Sequence, residues 1–172
     1  MYVIGDVAVP FVNRPSGVAP DASEESELTE SSVTAVNLPA IVTYQTRTGF
    51  TAAVTTSAID AKENLVGFQG DLTFDERVIQ FASTPIEQAG LTAENWTVAG
   101  NVLPGEGPIR TLRISAFSND FIPLSGSGTL FELKIAQVNQ GRTFSSLVWA
   151  LPPDDFIFIN ADLQIQRPRN AP

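Results

Sequence analysis

The side chains best equipped for chemistry in this chain are its carboxylates, and three close pairs stand out: Asp154 with Asp155, Asp71 with Asp75, and Glu24 with Glu25. Paired carboxylates can act as general acid and base or can ligate calcium, but none of these pairs has the company that either role needs. Adjacent residues on a strand point to opposite faces, so Asp154 and Asp155, following Pro152 and Pro153, read as a solvated loop. Asp75 closes an alternating stretch and reads as a turn former whose carboxylate takes nearby backbone amides. No Asp-x-Asp-x-Asp-Gly calcium loop occurs, and no metal site is expected. The 172 residues include no His and no Cys. That excludes an imidazole base, a Ser-His-Asp triad, a thiol nucleophile, a disulfide and a tetrahedral zinc site. The Gly-rich runs neither open a helix after a strand nor precede a Lys-Ser/Thr pair, so they are turns and not phosphate cradles. Neither an enzyme nor a cofactor is expected.

Binding chemistry is the next place to look. A net charge of -9 argues against nucleic acid and anionic membrane, both of which demand clustered Lys and Arg. Arg110 and Arg113 are the nearest approach to such a cluster, and at that spacing they read as a solvated strand face. No window offers the 18 apolar residues a membrane span needs. Met1 to Phe11 is not read as a secretory signal, because Asp6 and Pro10 interrupt it and no basic region precedes it. Trp96, Trp149 and Tyr44 are candidates for a sugar-stacking platform. Trp96, however, alternates with Val98 within a strand and is expected in the core, whereas Trp149 could lie at the rim or in the core. Asn95-Trp96-Thr97 matches the N-glycosylation sequon, which makes Asn95 a candidate acceptor.

The elements that position these residues are strands. Val3, Val7, Val9 and Phe11 fall on alternate positions, giving an amino-terminal strand within residues 1–12. Residues 13–32 follow as a Pro-, Ser- and Glu-rich acidic linker, too poor in apolar side chains to offset the entropy of ordering it. More than half of the net charge lies before residue 33, where Asp6, Asp21, Glu24, Glu25, Glu27 and Glu30 face Arg14 alone. Residues 33–167 show short strands separated by Gly, Pro, Asn and Asp, and 168–172 form a tail. Phe50, Ala52 and Val54 alternate with polar neighbours, as do Phe68, Leu72 and Phe74 against Gln69, Asp71 and Thr73. Leu112, Ile114 and Ala116 alternate in the same way, and so do Phe131, Leu133 and Ile135. In the last stretch, Ala161, Leu163 and Ile165 are expected to face the core, opposite Asn160, Asp162, Gln164 and Gln166. About nine strands, each with one wet face, imply an all-β fold of antiparallel sheets packed on a single core.

Within this pattern, Leu65-Val-Gly-Phe-Gln-Gly-Asp-Leu-Thr-Phe-Asp75 resembles the third strand and following turn of cohesin domains. Val78 to Phe81 stands in place of that family's Val-Leu-Glu-Phe. Trp96 to Asn101, Arg113 to Ser118, Pro123 to Leu130 and Phe144 to Leu147 continue the likeness in the family's order, from about Val33 to Gln166. The resemblance implies a nine-stranded jelly-roll β-sandwich, secreted or held at the cell surface, without catalysis, that binds a calcium-loaded helical dockerin on one sheet. It places the contacts on outward positions of the third strand and its neighbours, here including Gln69, Asp71, Arg113 and Ser115. Gly67 and Gln69 stand where dockerin-binding cohesins often present an Asn and Asp pair.

Three functions follow from this reading. In the first, an extracellular assembly module joins neighbouring copies as the alternating residues Val3, Val7, Val9 and Phe11 add to an exposed sheet edge, which gives a homo-oligomer or filament. The same segment could instead pair within its own sandwich. In the second, the sandwich receives a dockerin-bearing protein, and in the third it is a carbohydrate-binding module.

Overall fold

The computed structural model describes residues 35–39, 47–139 and 147–169. Val3, Val7, Val9 and Phe11, the acidic linker and Tyr44 lie outside these residues. The described elements are β1 (Val36–Asn37), β2 (Arg47–Ile59), β3 (Leu65–Asp75), β4 (Ile79–Gln88), β5 (Trp96–Leu103), β6 (Ile109–Ser118), β7 (Gly126–Val138), β8 (Val148–Trp149), β9 (Ile157–Asn160) and β10 (Ile165–Gln166), with short 3-10 turns at Ala61–Glu63 and Gly90–Thr92. They form two antiparallel sheets, one ordered β1-β2-β7-β4 and the other β10-β9-β3-β6-β5, with β8 also paired to β3. The chain passes from one sheet to the other after β2, β3, β4, β6 and β7, the connectivity of a jelly-roll sandwich. Ten strands are described, against about nine expected.

The alternating residues meet between the sheets. Phe68 on β3 lies at their centre, its ring centroid 5.8 Å from Trp96, 5.7 Å from Phe131 and 5.5 Å from Phe156, with Phe158 edge-on at 6.2 Å. Aromatic pairs in such arrangements stabilise beyond the area they bury, by about 0.5–1.5 kcal/mol each. Leu72, Leu112, Ile114, Leu133 and Ile135 fill the core around them. Trp96 is therefore core, as its alternation implied. Trp149 sits at the core's margin, 4.8 Å from Phe156, and its indole N–H donates to the Val36 carbonyl, tying β8 to β1 across the sandwich. Gly70 faces inward where the chain passes closest: a Cβ there would lie 2.6 Å from Cα of Phe156.

One stretch departs from its pattern. Ala161, Leu163 and Ile165 are exposed and do not face the core, whereas Asn160 is buried. The Asn160 side-chain oxygen accepts from the backbone N–H groups of Asp162 at 3.0 Å and Gln164 at 2.8 Å, and Leu163 takes a positive φ of 63°. These bonds reverse the chain into a hairpin, so that only Ile165–Gln166 is strand, pairing back on β9.

Candidate functional site

The register of the six-stranded sheet brings the four expected partner-binding residues together. Gln69 lies opposite Ser115 and Asp71 opposite Arg113 on β3 and β6, and β5 extends the two rows with Ala99 and Asn101. Because side chains alternate, all of these point away from the core, on the face opposite Phe68 and Ile114. A shallow notch of about 340 Å³ lies among them, lined by Gln69, Asp71, Asn101, Arg113, Ser115 and Asp154.

Asp71 is the unusual member of this group. On an outward position its side chain is only 7% exposed, because the segment between β8 and β9 runs beside it. The Asp71 N–H donates to the Asp154 carbonyl at 2.9 Å, and the Ala150 N–H donates to the Asp71 carbonyl at 2.8 Å. A carboxylate so covered needs a cation. Arg113 supplies one through two bonds, Nε to Oδ1 at 2.9 Å and Nη2 to Oδ2 at 2.7 Å, the forked geometry that suits a guanidinium. The hydrogen bond to Asp71, and then its charge, hold the Arg113 guanidinium above its already high pKa, so it stays charged throughout the neutral range. Arg113 itself is 54% exposed and reaches toward Asp154 at 3.9 Å, so one side of the pair remains open to a partner.

The other candidate groups are spoken for. Arg110 makes two bonds to Glu76, at 2.6 and 2.9 Å, and a further bond to the Gly105 carbonyl. Asp75 accepts from the Arg77 N–H at 3.0 Å, the turn-forming role expected of it. Asp155 takes Arg167 at 2.8 Å, so Asp154 and Asp155 engage different cations and do not form a catalytic pair. Asn95 is exposed in the turn leading into β5 with a positive φ of 57°, beside Thr97, whose hydroxyl donates to Asn119 Oδ1 at 2.9 Å. With Trp96 buried and Trp149 packed on Phe156, the described residues present no coplanar pair of exposed Trp rings for a sugar.

A second part of the face was not singled out from sequence. One row nearer the end of the sheet, Ile165, Ile159, Gly67, Phe117 and Thr97 follow one another across five strands. Phe117 is 55% exposed and Ile165 58%, with Ile159 half-buried between them. Single exposed apolar residues are ordinary, whereas neighbouring ones in a row make a candidate contact surface. The signal was present: once Leu112, Ile114 and Ala116 face inward, parity sends Phe117 outward.

Comparison with known proteins bears on the fold. Neither a protein-family model nor a curated protein matches the sequence. Among solved structures, the chain is similar to a type I cohesin–dockerin complex from Clostridium thermocellum, with a TM-score of 0.56, 9% identity, and coverage of 80% of this chain and 95% of that one. It is also similar to the sixth cohesin of scaffoldin B from Acetivibrio cellulolyticus, in complex with a dockerin, with a TM-score of 0.55, 11% identity and the same coverage. The fold is thus cohesin-like.

Proposed function

We propose that the protein is a non-catalytic docking module of an extracellular or cell-surface assembly, and that it captures a helical partner on the outer face of the six-stranded sheet. The observation that carries this reading is the division of that face into two adjoining parts, the apolar row from Ile165 to Phe117 and the polar notch around Arg113. Five strands span about 19 Å at roughly 4.8 Å per step, the length of about 13 residues of α-helix. A helix laid along the row would bury its apolar stripe on Phe117, Ile159 and Ile165 and turn polar side chains toward Gln69, Asp71, Arg113 and Ser115. The partner this fold suggests is a calcium-loaded dockerin, since both structural neighbours were solved with dockerins.

Calorimetric titration with a type I dockerin tests the proposal. Heat of binding is expected with calcium and not with a chelator, and Phe117→Asp should weaken binding at least tenfold, an effect typical of losing a central aromatic anchor at about 1.4 kcal/mol or more. Equal binding by wild type and Phe117→Asp would remove this face from the site.

A second reading, assembly among copies, is favoured by a different feature, the opening between the edge strands β4 and β5. There the alternating segment Val3, Val7, Val9 and Phe11 would add as a strand, and exchange of that segment between copies would build a filament. Particle size with and without residues 1–12 tests it: assemblies that survive the deletion rule out strand addition.

A further inference from the structure

The opening between β4 and β5 holds an inconsistency that identifies what belongs there. On β5, Val98, Gly100 and Val102 lie opposite Ala116, Ile114 and Leu112 of β6, all of which point into the core. Val102 therefore occupies an inward position, yet it is 43% exposed, whereas its partner Leu112 is fully buried. Across the gap, Phe81 lies opposite the buried Ile135 of β7 and is itself partly buried, with its ring edge-on to Phe74 at 4.7 Å. The groove between them has a volume of about 710 Å³. Among the described residues its two walls are edge strands, and every second residue of an edge strand turns its N–H and C=O away from the sheet. Core cover thus ends at Val102, with Phe81 incompletely covered across the gap, beside backbone able to accept one more strand.

We infer that this groove is the seat of the segment Val3–Phe11 of the same chain, whose apolar side chains cover Val102 and Phe81. This rests on the reading of that segment as an adding strand and supplies its acceptor. Val7, Val9 and Phe11 project to one side at about 6.8 Å intervals in extended chain, which suits a short inward row. Pro10 has no N–H to give, so the segment fits in the register that turns this position away from the acceptor strand.

The tether has the right length. Ala35 lies beside Ser57, near the Thr56–Gly128 level of β2 and β7, whereas the groove lies at the Phe81–Ile135 level beyond β7. Three strand spacings across and seven residues along place the two about 28 Å apart. Residues 12–34 number 23, and a generic unstructured chain of that length has a root-mean-square span of about 26 Å, close to the distance required. A tether matched to its span gives an effective concentration of about a millimolar, so a segment seats in its own chain until protein concentration approaches that value. Exchange between copies then becomes competitive, which is how the same seat would serve assembly.

The absence of cysteine from the sequence makes the test clean. In the full chain, Val102→Cys is combined in turn with Val7→Cys, Val9→Cys or Phe11→Cys, and Ala58→Cys, close to where the described chain begins, replaces Val102→Cys as the control. At about 10 µM protein, oxidation should cross-link at least one groove pair within one chain, about a hundredfold faster than between chains. The Ala58 pairs should stay reduced. Cross-links that form only between chains at that concentration would overturn same-chain seating. Cross-links no faster at Val102 than at Ala58 would overturn the groove as the seat. If deletion of residues 1–12 still dissolves assemblies in that last case, strand addition stands and only its acceptor was misplaced.

Discussion

Strands β3 and β6 run side by side in a single register, yet their two faces carry opposite chemistry. Inward, Phe68, Leu72, Leu112 and Ile114 are buried against the other sheet. Outward, at the alternate positions of the same two strands, Gln69, Arg113, Ser115 and Phe117 meet solvent. Period-two alternation lets one strand pair hold the fold together and present a binding surface without either task constraining the other. Asp71 and Arg113 are the exception, since an outward carboxylate is covered by the segment between β8 and β9 and depends on its cation. The candidate site is therefore fastened to the fold at one point.

The strongest way to break this comparison is Phe68→Ala. Its ring touches four other rings and its removal leaves a cavity at the centre of the sandwich, so a loss of about 3–5 kcal/mol is expected from chemical denaturation. A loss under about 1 kcal/mol would mean that the inner face does not carry the fold. Next is Gly70→Ala, where the new methyl meets the backbone of Phe156, which cannot swing aside as a side chain can. A loss of about 1–3 kcal/mol is expected by the same measurement.

Arg113→Ala examines the fastening point. It removes both bonds to the covered Asp71 carboxylate, so the denaturation midpoint should fall by less than for Gly70→Ala but more than for a substitution at Ser115. Asp71→Asn in the Arg113→Ala background should recover part of the loss, because the amide carries no charge to strand. If Arg113→Ala leaves the midpoint unchanged, solvent already serves Asp71, and the pair belongs to the binding surface alone.

Much of this arrangement was legible in the sequence, and the misses share a cause. Alternation located β3, β6 and β7 and the inward side of each, and it turned Gln69, Asp71, Arg113 and Ser115 outward because parity fixes the side a residue takes; that the four share one face was implied by the resemblance to cohesins. Parity says nothing of what covers that side. The burial of Asp71 depends on Ala150 and Asp154, some 80 residues further along the chain, and no local pattern records it. The row of Ile159, Gly67 and Phe117 likewise exists only in the pairing of β9, β3 and β6. In Phe156-Ile157-Phe158-Ile159 both faces are apolar, so alternation gave no side to choose. At Asn160 to Gln166 alternation was present but was overruled by a side chain able to bond the backbone two and four residues on.

That last stretch offers the smallest effect, one whose sign decides between the two readings. Were Leu163 an inward strand residue, replacing it with glycine would cost packing and backbone entropy together. In the hairpin it is 82% exposed and held at a φ of 63°, a conformation that strains a side chain carrying a Cβ and leaves glycine at ease. Leu163→Gly should therefore raise stability, by about 0.5–1 kcal/mol, because the relief of that strain exceeds the freedom glycine adds to the unfolded chain. Little packing is lost to set against it, since the leucine touches mostly water. Chemical denaturation of the two proteins side by side reads the sign directly. A midpoint that falls would return Leu163 to a strand and, with it, remove Ile165 from the outer row.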